Sequence, residues 1–339
     1  MNNTFILNAP LTINLTLSYK CNFSCHHCYS REEDFKKEMT FEELKYVVNI
    51  LSDWKVPFIN LGGGEPLLHP HLFDFVKYAS SKGLQCTMNT NGYLLDIETA
   101  EKIKQTGFRA VGVSIDSPVE EKHDFFRNKK GSFKRALNAL ENLAKVNVKS
   151  TVSMVVSKLN FENFHELIPI LREYKVSQLY LHNYKCSGLG YKNMEQYDLT
   201  PSEWHDFYAR ALTLKKETKD LVISFDDPIL HLLPQYEEHH LVKGSTCGKL
   251  SLNIRANGDI TPCGFMPIVI GNILKDDIIK LWKESPILMN LRNPIPNGKC
   301  KNCGVYENCL GGCKARAYML TGDFHNPDPH CWKKEVINQ

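Results

Sequence analysis

Ten of the twelve cysteines in this chain lie in two groups whose spacing suits metal ligands. The first group is Cys21, Cys25 and Cys28, within the stretch Cys-Asn-Phe-Ser-Cys-His-His-Cys. A structural zinc site needs four ligands, and the interposed His26 and His27 are awkwardly placed to supply the fourth. Three thiolates suit a four-iron, four-sulfur cluster, which normally takes four cysteines and here would keep one iron open. The spacing favours a reactive iron–sulfur centre over structural zinc.

The second group lies in the last third of the chain and has seven members. Because seven is an odd number for four-ligand centres, the natural division is four plus three. A zinc ribbon would account for Cys300 and Cys303 alone. The full set is Cys247, Cys263, Cys300, Cys303, Cys309, Cys313 and Cys331.

Short β-rich runs alternate with amphipathic helical stretches over about the first 190 residues, which is typical of parallel β/α units. The predicted strands are Leu11–Leu17, Phe58–Leu61, Gln85–Asn89, Ala110–Ile115, Ser150–Val156 and Gln178–Leu181. A capping box at Thr40 opens the first predicted helix. The other helices predicted here are His71–Ser81, Ile97–Gln105, Phe133–Lys145 and Phe161–Tyr174. This pattern predicts an α/β fold, a partial (β/α)6 barrel of TIM type, with its site at the carboxyl ends of the strands.

The composition changes towards the C-terminus. After a bridging region with a predicted helix from about Pro201 to Lys216, glycines, prolines and cysteines separate short predicted strands at Leu250–Arg255 and Ile260–Pro262. A region so rich in loops depends on bound metal for its stability. We therefore expect a barrel domain at residues 1–235 and a small cysteine-rich iron–sulfur domain at residues 236–339.

Overall charge and hydropathy exclude several classes of protein. The formal net charge of the 339 residues is only +3, too small to argue for nucleic acid or a membrane surface as partner. No apolar run approaches the ~20 residues of a membrane-spanning helix, and the N-terminus lacks the features of a secretory signal. We expect a cytoplasmic protein, in which a reducing environment keeps cysteines available for metal.

Polar and glycine-rich motifs stand at or after the ends of three predicted strands. Glycines there let the backbone approach a ligand closely. Taken alone, a glycine-rich strand end is an ordinary turn, and an arginine in a basic stretch is a solvated charge. Their common position at strand ends favours one shared site. The residues are Gly63, Gly64, Glu65, Asn89, Asn91, Ser114, Asp116 and Arg127.

Together with the C-x3-C-x2-C loop, these motifs resemble those of the radical S-adenosylmethionine (SAM) superfamily. The resemblance implies that SAM chelates the open iron, and that one electron cleaves it to methionine and a 5′-deoxyadenosyl radical. It assigns Gly63, Gly64 and Glu65 to the amino group of SAM and Arg127 to its carboxylate. The Asn89–Asn91 segment, and Ser114 with Asp116, are assigned to further cofactor contacts, which include the ribose. A guanidinium fork suits a carboxylate, which supports the role of Arg127.

The seven C-terminal cysteines resemble a SPASM domain, an auxiliary iron–sulfur domain found in one branch of that superfamily. The resemblance gives a complete outer cluster on Cys300, Cys303, Cys309 and Cys331, and an inner cluster on Cys247, Cys263 and Cys313. Both clusters are expected to be of the four-iron type. Because residues 248–262 contain no cysteine, we expect the fourth position of the inner cluster to be open or held by another residue type.

Two cysteines lie outside both groups. Cys86 falls inside a predicted strand and is expected to be a buried small hydrophobe. Cys186 follows the sixth predicted strand and is a candidate for the missing inner ligand or for a substrate-facing thiol, although single cysteines are usually inert. Tyr184 and His182 are further candidates for substrate contact, and the catalytic residue itself is not determined.

The resemblance extends to enzymes that mature pyrroloquinoline quinone and mycofactocin peptides and to enzymes of haem and haem d1 pathways. The leading hypothesis is oxidative modification of a peptide, bound directly or through a separate leader-recognition protein, with flavodoxin or ferredoxin as reductant. Side-chain modification of a tetrapyrrole is the alternative. A non-enzymatic iron–sulfur or zinc protein is a remote third, since it leaves Gly63–Glu65 and Arg127 without a purpose.

Overall fold

A parallel β-sheet forms the centre of the computed structural model, which describes residues 6–30, 37–225, 227–236 and 243–334. Each strand pairs with the next one along the chain in parallel register, as repeated β/α units require. The strands are β1 Thr12–Ser18, β2 Phe58–Gly63, β3 Gln85–Thr90, β4 Ala110–Ser114, β5 Ser150–Val155, β6 Gln178–His182 and β7 Val222–Ser224. The six predicted strands are confirmed to within two residues at each end.

The additional strand β7 carries no sequence signal of its own. Three residues are too few to display the alternation of apolar and polar side chains that marks a strand. Its place is fixed by pairing with β6, where Gln178 lies opposite Val222 and Tyr180 opposite Ser224. Beyond β6, the sheet is therefore one strand wider than the predicted partial barrel.

Helices connect the strands and cover the sheet. Those before the cysteine-rich region are α1 Phe41–Asp53, α2 Leu72–Ser81, α3 Ile97–Thr106, α4 Glu120–Arg127, α5 Ser132–Lys145, α6 Leu167–Glu173, α7 Leu189–Lys192, α8 Met194–Tyr197 and α9 Pro201–Glu217. The predicted capping box is present at Thr40, whose side chain accepts from the Glu43 N–H. The helix expected from Phe161 instead begins at Leu167, after a 3₁₀ turn, because Pro169 has no N–H and is tolerated only in the first turn.

The cysteine-rich region continues the same sheet. Its strands are β8 Ser251–Ile254, β9 Asp259–Thr261 and β10 Gly271–Asn272, and its helices are α10 Ile278–Glu284, α11 Pro286–Arg292, α12 Tyr306–Cys309 and α13 Lys314–Thr321. Strand β8 pairs in parallel with β1, so the sheet order is β10-β9-β8-β1-β2-β3-β4-β5-β6-β7. The division at residue 235 stays a prediction, and the sheet crosses it.

The hydrophobic core extends across that division as well. Ile13, Leu15 and Leu17 of β1 are buried, and Leu252 of β8 beside them is inaccessible to solvent. Trp282 of α10 is fully buried and donates its indole N–H to the Leu7 carbonyl over 2.7 Å. In the part of the chain that the structure describes, no helix is both long and apolar enough to cross a membrane.

Candidate active site

A cavity of about 500 Å³ lies at the carboxyl ends of β1 to β6. Residues of all six strands line it, as expected for a parallel sheet whose strand ends meet at one edge. Cys21, Cys25 and Cys28, here called the N-terminal triad, all contribute to its wall. The volume lies within the ~300–1,000 Å³ typical of small-molecule sites.

The triad follows β1 on a tight loop. Cys21 is exposed, Cys28 is half-buried and Cys25 is only 8% exposed. Burial raises the pKa of the Cys25 thiol to about 12, while the Arg127 guanidinium, 4.0 Å from its sulfur, opposes that increase. The three thiols lie close enough to influence one another's charge. They can therefore bind one metal centre together.

The loop after β2 is joined to the triad loop through its backbone. Gly64 and Glu65 donate their N–H groups to the carbonyls of Ser18 and Lys20, each over 2.8 Å. A Cβ on Gly64 would stand 2.0 Å from the Lys20 carbonyl oxygen, so only glycine fits there. The sequence motif is thus explained by the close approach of two backbone segments.

The Glu65 carboxylate is held by hydrogen bonds within the protein. It accepts hydrogen bonds from the Thr90 hydroxyl (2.6 Å), the Asn91 N–H (2.8 Å) and the Leu67 N–H (3.1 Å). Burial raises its pKa, and these hydrogen bonds oppose the increase. The side chain therefore ties the β2 loop to the β3 loop, at a position that also lines the cavity. Asn91 in turn donates to Asn22 of the triad loop over 2.8 Å.

Asp116 does not line the cavity. Its carboxylate accepts from Arg127 Nε over 2.5 Å and from the Val155 N–H over 2.9 Å, and it lies 3.7 Å from His27 Nε2. Although burial would raise the pKa of Asp116, Arg127 and His27 hold it below the usual value. The partners of Asp116 are protein groups, and its effect is to fix Arg127 at the cavity wall.

The other predicted cofactor contacts do reach the cavity. Ser114 stands at the end of β4, and Arg127, the last residue of α4, reaches from Asp116 towards Cys25. Asn22 beside the triad has a buried side-chain nitrogen without a hydrogen-bond partner among the described residues. The lining residues from the predicted set are Gly63, Gly64, Glu65, Asn89, Asn91, Ser114 and Arg127.

Of the three candidates for substrate contact, only His182 lines the large cavity. Burial lowers its pKa to about 4, so the imidazole is neutral at physiological pH. Tyr184 and Cys186 line a separate void of about 10 Å³. The Cys186 thiol donates to Asp198 over 3.4 Å, and His330 Nε2 lies 2.7 Å from the same carboxylate oxygen. The structure thus places Tyr184 and Cys186 outside the lining of the large cavity, in a void that shares Cys313 with it.

Three cavity residues carry chemistry that the sequence analysis did not assign. Lys185 follows His182 and holds its ammonium 4.5 Å from the centre of the Phe265 ring. Asp227 accepts from Arg316 and from the Tyr208 hydroxyl. His231, shortly after Asp227 in the sequence, also lines the cavity. The signal for Lys185 was its position after the sixth predicted strand, whereas Asp227 and His231 follow β7, which the sequence pattern did not reveal.

The C-terminal cysteines separate into two sets in space. Cys247, Cys263 and Cys313, here called the inner group, all line the large cavity. A hydrogen bond from Cys247 lowers the pKa of Cys263, and the Cys313 thiol also acts on it, so the three lie together. The four remaining cysteines, called the outer group, do not line the cavity. They are Cys300, Cys303, Cys309 and Cys331.

The outer cysteines form a compact set of their own. Burial raises the pKa of Cys300, and the nearby Cys331 and Cys303 thiols add to that increase. Burial likewise raises the pKa of Cys309, where Cys331 and Cys300 act in the same direction. These groupings match the expected division into three and four. The residues present therefore fit two further thiolate-bound centres in addition to the triad.

Comparison with known proteins agrees with this geometry. The family profile of the Radical SAM superfamily matches residues 15–171, and that of SPASM, an iron–sulfur cluster-binding domain, matches residues 246–304. The chain belongs to the radical SAM superfamily. It is a radical SAM oxidoreductase of the SPASM branch, with iron–sulfur clusters and S-adenosylmethionine as its cofactors. The SPASM match ends before Cys309, Cys313 and Cys331, which the structure brings to the two groups.

Curated relatives of two kinds match almost the whole chain. An AdoMet-dependent heme synthase of Methanosarcina barkeri is 28% identical over 96% of this chain and 97% of its own length. The mycofactocin maturase MftC of Mycobacterium tuberculosis is also 28% identical, over 96% of this chain and 83% of its own.

Solved structures share the fold of this radical SAM chain. Streptococcus suis SuiB bound to S-adenosylmethionine superposes with a TM-score of 0.80 at 19% identity, covering 97% of this chain and 78% of SuiB. Native anSMEcpe with bound AdoMet gives a TM-score of 0.74 at 20% identity, covering 95% of this chain and 94% of anSMEcpe. The partial barrel and the cysteine-rich extension are thus a known combination.

Proposed function

We propose that this chain is a radical SAM enzyme that oxidatively modifies a peptide with the help of two auxiliary iron–sulfur clusters. One observation carries the proposal: the N-terminal triad and the inner group line the same cavity. A substrate bound there would lie between the site where SAM is cleaved and a centre that could accept an electron. Net oxidation needs both, because the substrate that has lost a hydrogen atom must also lose an electron.

The cofactors supply the radical chemistry when they are bound: an electron from the triad's cluster cleaves SAM, and the adenosyl fragment removes a substrate hydrogen atom. The chain's own residues hold and orient the reactants. Asp116 fixes the Arg127 guanidinium at the cavity wall, where a ligand carboxylate can meet it. The backbone carbonyls of Gly63–Glu65 and the remaining acceptor capacity of the Glu65 carboxylate can accept from an ammonium group.

We further propose that the inner cluster has a fourth position not held by cysteine. Cys186, the candidate thiol near it, already donates a hydrogen bond to Asp198, in a small void that Cys313 also lines. An open or weakly held iron at the cavity wall is accessible to a substrate group. Flavodoxin or ferredoxin is the proposed electron donor.

The relatives support a peptide substrate, and one fact favours a second candidate. MftC is a mycofactocin maturase by name, and SuiB, which shares the fold, has been seen bound to precursor peptide SuiA. However, the Methanosarcina barkeri heme synthase is equally identical and is matched over 97% of its length. We therefore retain modification of a tetrapyrrole side chain as the alternative.

Iron content and SAM cleavage test the enzyme assignment. Anaerobically reconstituted protein is expected to bind about twelve irons per chain, from three four-iron clusters, and to release 5′-deoxyadenosine with dithionite. The Cys25→Ala variant should lose about four irons and all 5′-deoxyadenosine. Cys86→Ala is the matched control, since Cys86 is fully buried in the core away from the cavity and should change neither. Zinc instead of iron, without cleavage, would refute the assignment.

A second measurement distinguishes the substrates. Short peptides encoded beside the gene and iron coproporphyrin III are each incubated with enzyme, SAM and reductant. A peptide substrate should increase 5′-deoxyadenosine formation. The mass of the peptide should decrease by that of one or more hydrogen atoms or by that of a larger fragment. Turnover with the porphyrin and none with any peptide would replace the peptide proposal by the alternative.

A further inference from the structure

The triad loop packs against α4 through residues that lie outside the cavity lining. Its Ser24 hydroxyl accepts from the Asn128 side chain over 3.0 Å, and its His26 N–H donates to the Phe126 carbonyl over 3.0 Å. None of these four residues lines the cavity. Ser24 and His26 are the direct neighbours of Cys25 in the sequence, so the end of α4 lies next to the triad on a second side.

Two cations stand over an aromatic ring beside this contact. The Tyr93 ring lies 5.6 Å from the ring of Phe23 in the triad loop. Lys129 Nζ lies 5.1 Å from the centre of the Tyr93 ring, and the Arg135 guanidinium lies 5.4 Å from it. Lys130, next in the sequence, is exposed. Among the residues that the structure describes, no carboxylate oxygen lies within 4.0 Å of these three cations. Their charge is therefore available to a partner.

Nearby carboxylates do not cancel this charge. Residues 128–135 contain four basic residues and no acidic one. Glu120 of α4 pairs with one of the four, Lys134, over 3.1 Å. Asp124 accepts from the backbone at the start of α5 over 2.8 Å. Glu121 is the remaining carboxylate of α4, against three remaining cations, so the surface beside the triad loop is positively charged.

An exposed aromatic side chain adjoins the cations. Phe125 of α4 is 51% exposed, and its ring lies 5.2 Å from the imidazole of His26 in the triad loop. Interfaces between proteins are enriched in aromatic residues at their centre and have a polar rim. Phe125, Lys129, Lys130 and Arg135, here called the docking face, have that composition.

We propose that the docking face binds the electron donor of the triad, an acidic one-electron carrier protein of the flavodoxin or ferredoxin class. Opposite charges on two proteins increase their association rate and orient them. The docking face contacts the loop that holds the triad, so a carrier bound there does not have to enter the cavity. One electron passes from the reduced carrier, which is thereby oxidised, to the triad's cluster, with no bond made or broken. This inference rests on reduction of that cluster in the proposed function and not on the identity of the substrate.

Binding tests the proposal directly. The reconstituted full chain is titrated anaerobically by calorimetry with oxidised flavodoxin and, separately, with oxidised ferredoxin from the same organism. Lys129→Glu with Arg135→Glu should raise the Kd of the carrier about tenfold or more, and high salt should reduce the difference from wild type. Phe125→Ala should raise the Kd without changing its salt dependence. The matched control is Lys77→Glu with Lys104→Glu, which makes the same change in net charge at exposed lysines of α2 and α3.

The source of electrons distinguishes docking from damage to the enzyme. Dithionite is a small reductant that needs no docking, so with it the variants should release 5′-deoxyadenosine at the wild-type rate. With reduced carrier, the variant with both charges reversed should be slower. If that variant is impaired with dithionite too, Lys129→Gln with Arg135→Gln, which only removes the charges, must still raise the Kd.

Three results would overturn the proposal: a docking-face variant that binds both carriers as tightly as wild type, an equal loss of binding in the control, or wild-type protein that binds neither carrier. Binding of one carrier and not the other identifies the class of donor and supports the proposal. Wild-type protein that cleaves no SAM even with dithionite would instead refute the enzyme assignment.

Discussion

Arg316 joins the barrel to the cysteine-rich region, and its removal is expected to destabilise both. It donates to Asp328 over 2.5 and 2.6 Å and to Asp227, which follows β7, over 3.1 and 3.2 Å. All three side chains are at most 3% exposed. Arg316→Met would fill a similar volume but leave two buried carboxylates without their cation.

The structure sets the size of the effect. Breaking a buried ion pair by removing one partner costs about 3–5 kcal/mol, because the remaining charge stays buried. At about 1.4 kcal/mol for each factor of ten, this lowers the folded-to-unfolded ratio by about two to four orders of magnitude. The double variant Arg316→Met with Asp227→Asn also removes one of the two unpaired carboxylates. It should therefore recover part of the lost free energy of unfolding.

Urea denaturation followed by tryptophan fluorescence measures this effect on anaerobic protein whose iron content has been matched between variants. The control is Arg172→Met, which breaks a similar two-bond pair with Asp220 at 2.7 and 2.9 Å on the exposed surface. That variant should unfold at the wild-type urea concentration, because solvent screens exposed pairs. The reasoning is wrong if Arg316→Met unfolds like Arg172→Met, or if Asp227→Asn recovers nothing.

Two shorter predictions concern the triad. Gly64→Ala would place its methyl group against the Lys20 backbone, which should lower the free energy of unfolding by about 1–3 kcal/mol and lose the triad's iron. The methyl group of Gly62→Ala would meet no atom within 4 Å, so that variant should retain the iron. Equal iron content in the two variants would contradict this. Because cluster assembly needs thiolates and the pKa of Cys25 is raised to about 12, the thiolate fraction increases with pH. Iron uptake during reconstitution should therefore be greater near about pH 9 than near about pH 7, and a flat profile would argue against protonated thiols as the barrier.

The cofactor-binding residues show how far sequence reasoning reaches. Cys21, Cys25 and Cys28 converge because a short loop brings them together in almost any fold. Gly63, Gly64 and Ser114 reach the same cavity because the ends of parallel strands meet at one edge. Asp116 follows the same strand-end rule in sequence, yet its carboxylate faces Arg127. The direction of a side chain depends on what packs against it, which strand order does not specify.

Spacing and periodicity in the sequence therefore determined the chemistry of this protein: the thiolate ligands, the strand-end motifs and the units that carry them. Only the tertiary structure decided which groups face one another. Asp198 and His330, 132 residues apart, meet around Cys186 and take its thiol away from the cavity. Strand β8 adds to the sheet beside β1, and the inner cysteines thereby join the triad's cavity. Such contacts depend on long-range packing, which no local pattern encodes.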